Sequence, residues 1–266
     1  MTKLPVEDFF KKYLDNWLPL CPDANKILTL LSEKNENIVN DHIALRTMDF
    51  SEIGLQKLAQ PFLEMGYEYK GEYHFKQKKL YAKHLELPSN PNATKVFISE
   101  LLTDQISTEA KTILQSSTSN IPLDVISHTE LGTSGRHWDF DENTYHNLYK
   151  ESEYAAWFYA FGFRANHFTI SINHLNSFDS LSDFNVWLKE HGITLNQSGG
   201  EIKGSKDVGL IQSSTMANSV HVESNSQIPG CYIEFAERFA VGDQKLYQGF
   251  VTSSADKIFE STSKTT

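Results

Sequence analysis

Two short stretches, far apart in the chain, share a pattern that constrains the fold more than any other feature of the sequence. Residues 41–47 and 166–173 both alternate between apolar side chains and other types, as β-strands with two different faces do. Each stretch carries a histidine near its start, His42 in the first and His167 in the second, on the face opposite the most apolar residues. The chain is therefore expected to contain two strands that each present an imidazole from the same relative position.

The segments that follow the two histidines are also alike. A helix-like segment, strand-like runs and a closing strand follow His42, and a comparable series follows His167. The closing strands carry Glu100 and Glu234, which we interpret as matching positions. We infer an internal duplication of a βαβββ unit. The predicted fold class is therefore α+β, with paired βαβββ modules that form a curved mixed sheet or open barrel around a metal site, flanked by N-terminal and linker helices.

The duplication predicts one domain in which a helical linker separates the two modules. Within the linker, a single long helix is predicted from Glu142 to Phe161, and residues 132–138 are interpreted as a plain connection rather than a lid. The second module is predicted to include a strand over residues 194–202. The five parts are an N-terminal helical segment (1–40), the first module (41–102), the linker (103–165), the second module (166–240) and a C-terminal segment (241–266).

Composition and charge exclude several classes of partner. The 266 residues carry a formal net charge of −10, whereas binding to nucleic acids or anionic membranes needs clustered lysines and arginines. The sequence shows neither a signal-peptide pattern nor an apolar run of the ~18 residues that a membrane span requires. We therefore expect a cytoplasmic protein without a nucleic-acid or membrane partner. Cys21 and Cys231 are predicted to be reduced core thiols.

The paired histidines raise the possibility of a metal centre. Two imidazoles and one carboxylate on adjacent strands form the facial triad that non-haem Fe(II) oxygenases use, and this triad leaves three coordination positions open. However, the chain has 10 histidines, and a single strand histidine is more often a hydrogen-bonded structural residue than a ligand. The repetition of His42 and His167 adds weight to the metal hypothesis. Spacing alone leaves both interpretations open.

Two further residues have uncertain roles at this stage. Arg46 follows His42 by four positions on the same predicted strand face, so its guanidinium could pair with a carboxylate whose other end is on the metal. A structural ion pair is the alternative for Arg46, and the spacing does not decide between them. His84 lies on a predicted strand and could support the metal ligands from behind.

Several motifs in combination resemble those of a known family. From about residue 5 to the tail, the sequence resembles the 2-oxoadipate dioxygenase/decarboxylase family, which is similar in fold to the vicinal-oxygen-chelate superfamily of paired βαβββ modules. The motifs are Asp41-His-Ile-Ala-Leu-Arg-Thr47, Tyr154-Ala-Ala-Trp157, Asn166-His-Phe-Thr169, Gln212-Ser-Ser-Thr215 and Tyr232-Ile-Glu-Phe-Ala236.

The resemblance implies a function and a set of site residues. It implies a mononuclear Fe(II) cofactor held by His42, His167 and Glu234, and a reaction of 2-oxoadipate with O2 that yields 2-hydroxyglutarate and CO2 in lysine breakdown. It also implies that Arg46 is a catalytic residue that recognises a substrate carboxylate. His42 would contact the metal-bound end of the substrate. Val251 and Ser253 would supply further substrate contacts. The only partners expected are the 2-oxo acid and O2, and the oligomeric state stays open.

Two other functions remain compatible with the residues. One is a glyoxalase-like lyase or isomerase, in which Glu100 would be a fourth ligand of a Zn or Ni ion and O2 would take no part. The other is a non-catalytic protein that binds a small molecule and uses its histidines structurally. The position of Glu100 separates the first from the oxygenase, and uptake of Fe(II) separates the second.

Overall fold

The computed structural model describes residues 6–127, 130–223, 226–242 and 245–262. Within these ranges the chain forms nine α-helices and ten β-strands. The helices are α1 (Val6–Trp17), α2 (Pro22–Glu33), α3 (Leu55–Glu64), α4 (Thr108–Thr118), α5 (Leu123–Ser127), α6 (Glu142–Glu151), α7 (Glu153–Phe161), α8 (Leu181–Glu190) and α9 (Thr252–Ile258). The strands are β1 (Asn40–Met48), β2 (Glu68–Phe75), β3 (Leu80–Glu86), β4 (Lys95–Leu101), β5 (Ala165–Ser171), β6 (Lys203–Ser205), β7 (Leu210–Ser214), β8 (Ser219–Glu223), β9 (Ser226–Pro229) and β10 (Tyr232–Arg238).

Eight of these strands form one mixed sheet in the order β2-β3-β4-β1-β5-β10-β7-β6. In the first half β4 lies parallel to β1, and in the second half β10 lies parallel to β5. The two halves meet where β1 pairs with β5 in antiparallel fashion. Each half thus contains a first strand, a helix and three further strands in the sheet. The predicted fold class, a curved sheet of paired βαβββ modules, is confirmed.

The N-terminal helices cover the outer face of the sheet. Side chains alternate along β5, so Phe168 lies on the face opposite His167. The Trp17 ring of α1 lies 4.9 Å from the Phe168 ring, and its indole Nε1 donates a hydrogen bond to the carbonyl oxygen of Asn166 at 3.2 Å. This packing on the outer face leaves the histidine face of β5 toward the interior of the curved sheet.

Two local predictions differ from the structure, and one element was not predicted. The predicted helix from Glu142 to Phe161 is two helices, because Ser152 adopts an extended conformation and its Oγ accepts a hydrogen bond from the Ala155 N–H at the start of α7. The predicted strand at 194–202 is irregular, because Gly199 and Gly200 have φ angles of 69° and 97°, and β6 begins only after them. A two-stranded hairpin, β8–β9, lies outside the main sheet and was not predicted.

The loop at 132–138 is fixed to the end of α7. The N–H of Gly135 donates to the carbonyl oxygen of Phe163 at 3.0 Å, and the Phe163 N–H donates back at the same distance. Arg136 also donates to the carbonyl oxygen of Ala160 at 2.9 Å. These contacts support the interpretation of the loop as a plain connection.

The remaining general predictions have mixed outcomes. Cys21 and Cys231 are both buried free thiols, as predicted. Among the helices of the described ranges, none has both the length and the apolar character needed to cross a bilayer. The single-domain organisation and the cytoplasmic location stay predictions.

Candidate metal centre

The register of three neighbouring strands brings the predicted ligands together. His42 on β1 lies opposite Thr169 on β5, and Thr169 lies opposite Glu234 on β10. His167 lies two residues before Thr169 and therefore projects from the same face of β5. The three predicted ligands thus surround Thr169, whose short side chain leaves room between them. The side chains of both histidines and of Glu234 are buried.

The ligand atoms of these three residues form a compact cluster. His167 Nε2 lies 3.0 Å from Glu234 Oε1, and His42 Nε2 lies 3.5 Å from Glu234 Oε2. One potential ligand atom from each residue lies within 4.8 Å of the other two. The imidazole rings are nearly perpendicular, with centroids 5.5 Å apart. Both rings therefore direct an Nε2 toward the same carboxylate.

His42 is held from behind by an ion pair. Its Nδ1–H donates to Asp41 Oδ1 at 2.8 Å, and Arg238 donates to both oxygens of Asp41 at 2.6 and 2.8 Å. Burial by itself would raise the pKa of Asp41, but Arg238 and the hydrogen bond from His42 outweigh it, and the pKa lies well below its usual value. Asp41 is therefore an anion that fixes the His42 proton on Nδ1 and leaves the Nε2 lone pair available.

The electrostatic surroundings make the His42 imidazole more basic and therefore a stronger metal ligand. Burial alone would lower the pKa of His42, but its interactions with the carboxylates of Asp41 and Glu234 outweigh burial and raise the pKa. A more basic imidazole binds a divalent ion more strongly. Thr169 Oγ1 lies 3.1 Å from the His42 Nε2.

His167 is held by neutral partners instead. Its Nδ1 lies 3.0 Å from the Tyr232 hydroxyl and 3.2 Å from Asn166 Oδ1. Burial lowers the pKa of His167 well below its usual value, and the nearby positive charge of Arg46 lowers it further. His167 is therefore a neutral imidazole, which is the form that ligates a metal.

These residues fit a divalent metal ion. Two imidazole nitrogens and one carboxylate oxygen converge in a buried space, and the opposite nitrogen of each ring is fixed by a hydrogen bond, as is usual for metal-bound histidines. The predicted metal site of His42, His167 and Glu234 is thus present as a geometric unit. Three protein ligands leave further coordination positions for small molecules.

Glu100 has a structural role rather than a place in this cluster. Its Oε2 accepts a hydrogen bond from the Leu55 N–H, the first residue of α3, at 2.8 Å. In the second module, Glu237 Oε2 accepts from the Leu181 N–H, the first residue of α8, also at 2.8 Å. Both carboxylates stabilise the positive N-terminal end of the helix in their own module.

The strand register shows which residues of the two modules correspond. Lys95 lies opposite His42, and Tyr232 lies opposite His167. Glu100 and Glu237 each follow these reference residues by five positions, whereas Glu234 corresponds to Phe97. The prediction that Glu100 and Glu234 match was therefore wrong, because the offset between neighbouring strands cannot be obtained from the alternation within each strand.

The C-terminal segment covers the space around the ligands, which we call the metal cavity. The Phe250 ring lies 4.7 Å from the His42 ring, and Ala255, Ile258 and Phe259 of the same segment also line the metal cavity. Val251 and Ser253, the predicted substrate contacts, do not line it, and Ser253 is exposed because the helical period of α9 turns it outward. Their role as substrate contacts stays a prediction.

Arg46 lies beside the metal cavity and faces a second space. Its guanidinium carbon lies 4.9 Å from the centroids of the Tyr154 and Trp157 rings and 5.6 Å from that of Phe259. Arg46, Lys78, Lys79 and Phe259 are among the residues that line the second space, the outer cavity, so Phe259 forms a wall of both cavities. The Arg46 side chain is buried, and its Nε has no hydrogen-bond partner among the described residues.

His84 supports the C-terminal segment rather than a metal ligand. Its Nδ1 lies 2.9 Å from the Tyr73 hydroxyl, and its Nε2 lies 2.8 Å from Glu86. The Tyr73 hydroxyl in turn accepts a hydrogen bond from the Phe250 N–H at 3.2 Å. His84 thereby helps to hold the segment that packs against His42.

Sequence reasoning missed three residues of the site. Arg238 was not among the predicted site residues, but it is buried and pairs with Asp41. Gln212 belongs to one of the recognised motifs but had no predicted role, and it lines the metal cavity. Asp41 directly precedes His42, and this adjacency was the available signal for its role.

We expect Asp41→Asn to weaken metal binding about 10- to 100-fold, the usual effect of removing a hydrogen-bond partner of a ligating histidine. The asparagine amide cannot neutralise the positive charge of Arg238, and it does not hold the His42 proton on Nδ1 as the Asp41 carboxylate does. Titration with Co(II), followed by absorption spectroscopy, measures the affinity. Asp104→Asn, which changes an exposed ion pair with Lys111, is the control. Unchanged Co(II) affinity in folded Asp41→Asn protein would contradict the role of Asp41.

Comparison with protein families agrees with this geometry. Residues 20–247 match the family model described as 2-oxoadipate dioxygenase/decarboxylase. The chain is also 34% identical over 296 aligned positions to the chloroplastic 2-oxoadipate dioxygenase/decarboxylase of Arabidopsis thaliana, with 98% of this chain and 79% of the relative covered. The chain belongs to the 2-oxoadipate dioxygenase/decarboxylase family. The resemblance of its motifs to this enzyme family is therefore confirmed.

Two solved structures are similar to this chain. The hydroxyglutarate synthase of Oryza sativa, crystallised in complex with 2-oxoadipate, has a TM-score of 0.87 and 34% identity, covering 98% of this chain and 94% of that one. A crystal structure from Shewanella frigidimarina NCIMB 400, described provisionally as a hydrolase, has a TM-score of 0.88 and 45% identity, covering 93% and 98% of the two chains.

Proposed function

We propose that this chain is an Fe(II)-dependent dioxygenase that converts 2-oxoadipate and O2 into 2-hydroxyglutarate and CO2, a step of lysine breakdown. The observation that carries the proposal is the buried cluster of His42, His167 and Glu234, with ligand atoms within 4.8 Å of one another. A set of two histidines and one carboxylate is typical of non-haem Fe(II) oxygenases. The related hydroxyglutarate synthase that binds 2-oxoadipate supports the choice of substrate.

The reaction is balanced without a further co-substrate. Both oxygen atoms of O2 enter the products, and the electrons come from loss of the carboxyl group and from hydroxylation of the shortened acid. When bound, Fe(II) supplies chelation of the 2-oxo acid and activation of O2. The protein supplies orientation, charge and the exclusion of water.

The side chains around the cluster divide these tasks. Asp41 and Tyr232 hold the two ligand imidazoles by their Nδ1 atoms, so that both Nε2 atoms point toward the cavity. Phe250 and Ile258 line the cavity with apolar surface, which limits access of bulk water to the reacting atoms. A dry site also strengthens the interaction of the substrate carboxylates with nearby cations.

Arg46 is proposed to bind the distal carboxylate of the substrate. Its buried cation lies among the aromatic rings of Tyr154, Trp157 and Phe259, and within the described ranges its Nε–H has no acceptor. A carboxylate that enters this environment would accept charge-assisted hydrogen bonds from the planar guanidinium. Binding at this end keeps the chain of the shortened acid in position for the second oxidation step.

The position of Glu100 separates the oxygenase from the glyoxalase-like alternative. That alternative uses Glu100 as a fourth metal ligand, whereas its carboxylate hydrogen-bonds to the start of α3. The metal-ligating cluster among the described residues contains a single carboxylate, Glu234. A three-ligand site with open positions suits activation of O2 better than the four-ligand site of the lyase.

The test is oxygen consumption by protein purified without O2 and loaded with Fe(II). A panel of 2-oxo acids with four to seven carbons, with and without a distal carboxylate, defines the substrate. We expect the fastest uptake with 2-oxoadipate, with one CO2 and one 2-hydroxyglutarate formed per O2. Zn(II)-loaded protein is the control and is expected to be inactive. Absence of uptake with every acid, or equal turnover with Zn(II), would contradict the proposal.

A further inference from the structure

Gln212 is the one cavity-lining residue that hydrogen-bonds to the ligand carboxylate without being a ligand, among the residues that the structure describes. It lies on β7 opposite Ala236, two residues along β10 from Glu234, and its side chain is buried. Its Nε2 donates a hydrogen bond to Glu234 Oε2 at 3.1 Å. The other carboxylate oxygen, Oε1, is the atom that lies 3.0 Å from His167 Nε2.

The chemistry of this contact fixes the orientation of the amide. A carboxylate only accepts hydrogen bonds, so the NH2 end of Gln212 must face Glu234 and the carbonyl oxygen must face away from it. That carbonyl oxygen, Oε1, is buried and has no hydrogen-bond partner in the described part of the chain. Leaving a buried acceptor unpaired costs roughly 1–3 kcal/mol. A donor from a bound molecule would remove this cost, since Gln212 lines the metal cavity.

We propose that Gln212 is a positioning residue with two functions, and that its carbonyl oxygen accepts a hydrogen bond from the hydroxyl group of a 2-hydroxy acid in the cavity. This inference rests on the proposed function, which identifies the ligand class. An ionised 2-oxo dicarboxylate carries only acceptors, whereas the 2-hydroxy acid produced from it carries one hydroxyl donor. The amide end of Gln212 restrains the orientation of the Glu234 carboxylate through its hydrogen bond to Oε2.

The proposal predicts how the protein discriminates between two acids of equal length. Wild-type protein loaded with Co(II) and kept free of O2 should bind 2-hydroxyglutarate more tightly than glutarate, which lacks the hydroxyl group. Part of this preference comes from the metal, and part from Gln212. Gln212→Met keeps the length of the side chain and removes both hydrogen-bonding ends. We expect the preference to fall about 3- to 10-fold, the worth of one neutral hydrogen bond.

The amide end predicts a second measurable change. Without its hydrogen bond to Glu234, the Gln212→Met protein should bind Co(II) about 10-fold more weakly, by analogy with other residues that orient metal ligands. Gln197→Met is the matched control, because Gln197 donates to Glu201 Oε2 at the same 3.1 Å but on the exposed surface. The control is expected to match wild-type protein in both Co(II) affinity and acid preference. Gln212→Leu provides the same comparison through a second apolar side chain of similar size.

The outcomes of these titrations test the role of Gln212 separately from the proposed function. A lower Co(II) affinity together with a reduced preference for 2-hydroxyglutarate supports both functions of Gln212. An unchanged preference in folded Gln212→Met and Gln212→Leu proteins overturns the role of the carbonyl oxygen, whatever the metal affinity. Wild-type protein that binds no Co(II) or Fe(II) would instead refute the proposed function itself.

Discussion

Glu234→Gln is expected to abolish metal-dependent oxygen consumption while the protein stays folded. The substitution keeps the shape of the side chain but removes the only anionic group of the ligand cluster. Loss of the ion forfeits several kcal/mol of barrier lowering, so turnover of 2-oxoadipate should fall at least about 10³-fold. Iron content after anaerobic loading and oxygen uptake measure the two effects, and circular dichroism checks the fold.

Glu237→Gln is the matched control on the same strand. Glu237 hydrogen-bonds to the first residue of α8, and its exchange for glutamine keeps an acceptor there but removes the charge at the helix end. We expect full metal content and activity, with the free energy of unfolding lowered by about 0.3–1 kcal/mol. Equal loss of metal in both variants would contradict the assignment of Glu234 as the ligand carboxylate.

Arg46→Met is expected to remove recognition of the distal carboxylate. Methionine fills much of the space among Tyr154, Trp157 and Phe259 but carries no charge. Losing a charge-assisted hydrogen bond should raise the KM for 2-oxoadipate about 10- to 100-fold. Arg46→Lys keeps the positive charge but lacks the planar guanidinium group. This variant should therefore bind 2-oxoadipate more tightly than Arg46→Met and more weakly than wild-type protein.

A substrate without the distal carboxylate tests Arg46 within a single variant. 2-Oxohexanoate has the same carbon chain as 2-oxoadipate but ends in a methyl group. Its KM should be nearly the same in wild-type and Arg46→Met proteins, because Arg46 then has no carboxylate to bind. If both acids lose affinity equally, Arg46 has a structural role at the cavity wall instead of a role in specificity.

The faces of the strands were predictable from the sequence, but their offsets were not. Alternation with a period of two placed His42 and His167 on the interior face, and the repeated pattern indicated two modules. The same alternation does not predict the register of one strand relative to its neighbour. That offset decides that Glu234 meets the histidines while Glu100 reaches the start of α3.

The residues behind the ligands show a second limit of sequence reasoning. Arg238 and Asp41 form a buried ion pair although 197 positions separate them. Local periodicity carries no information about a contact of this length, because the contact depends on how the C-terminal part of β10 meets the start of β1 in space. Gln212 was hidden for the same reason, since its role depends on the pairing of β7 with β10.

The unequal contribution of the two modules has an implication for how such a centre could arise. Two identical copies related by a twofold axis contribute every group in pairs, so they offer two histidines with either two glutamates or none. A set of His42, His167 and a lone Glu234, with Phe97 at the equivalent place, cannot be built by such a dimer. Fusion of the copies into one polypeptide frees each half to diverge, which allows a metal centre with a single carboxylate ligand and open coordination positions.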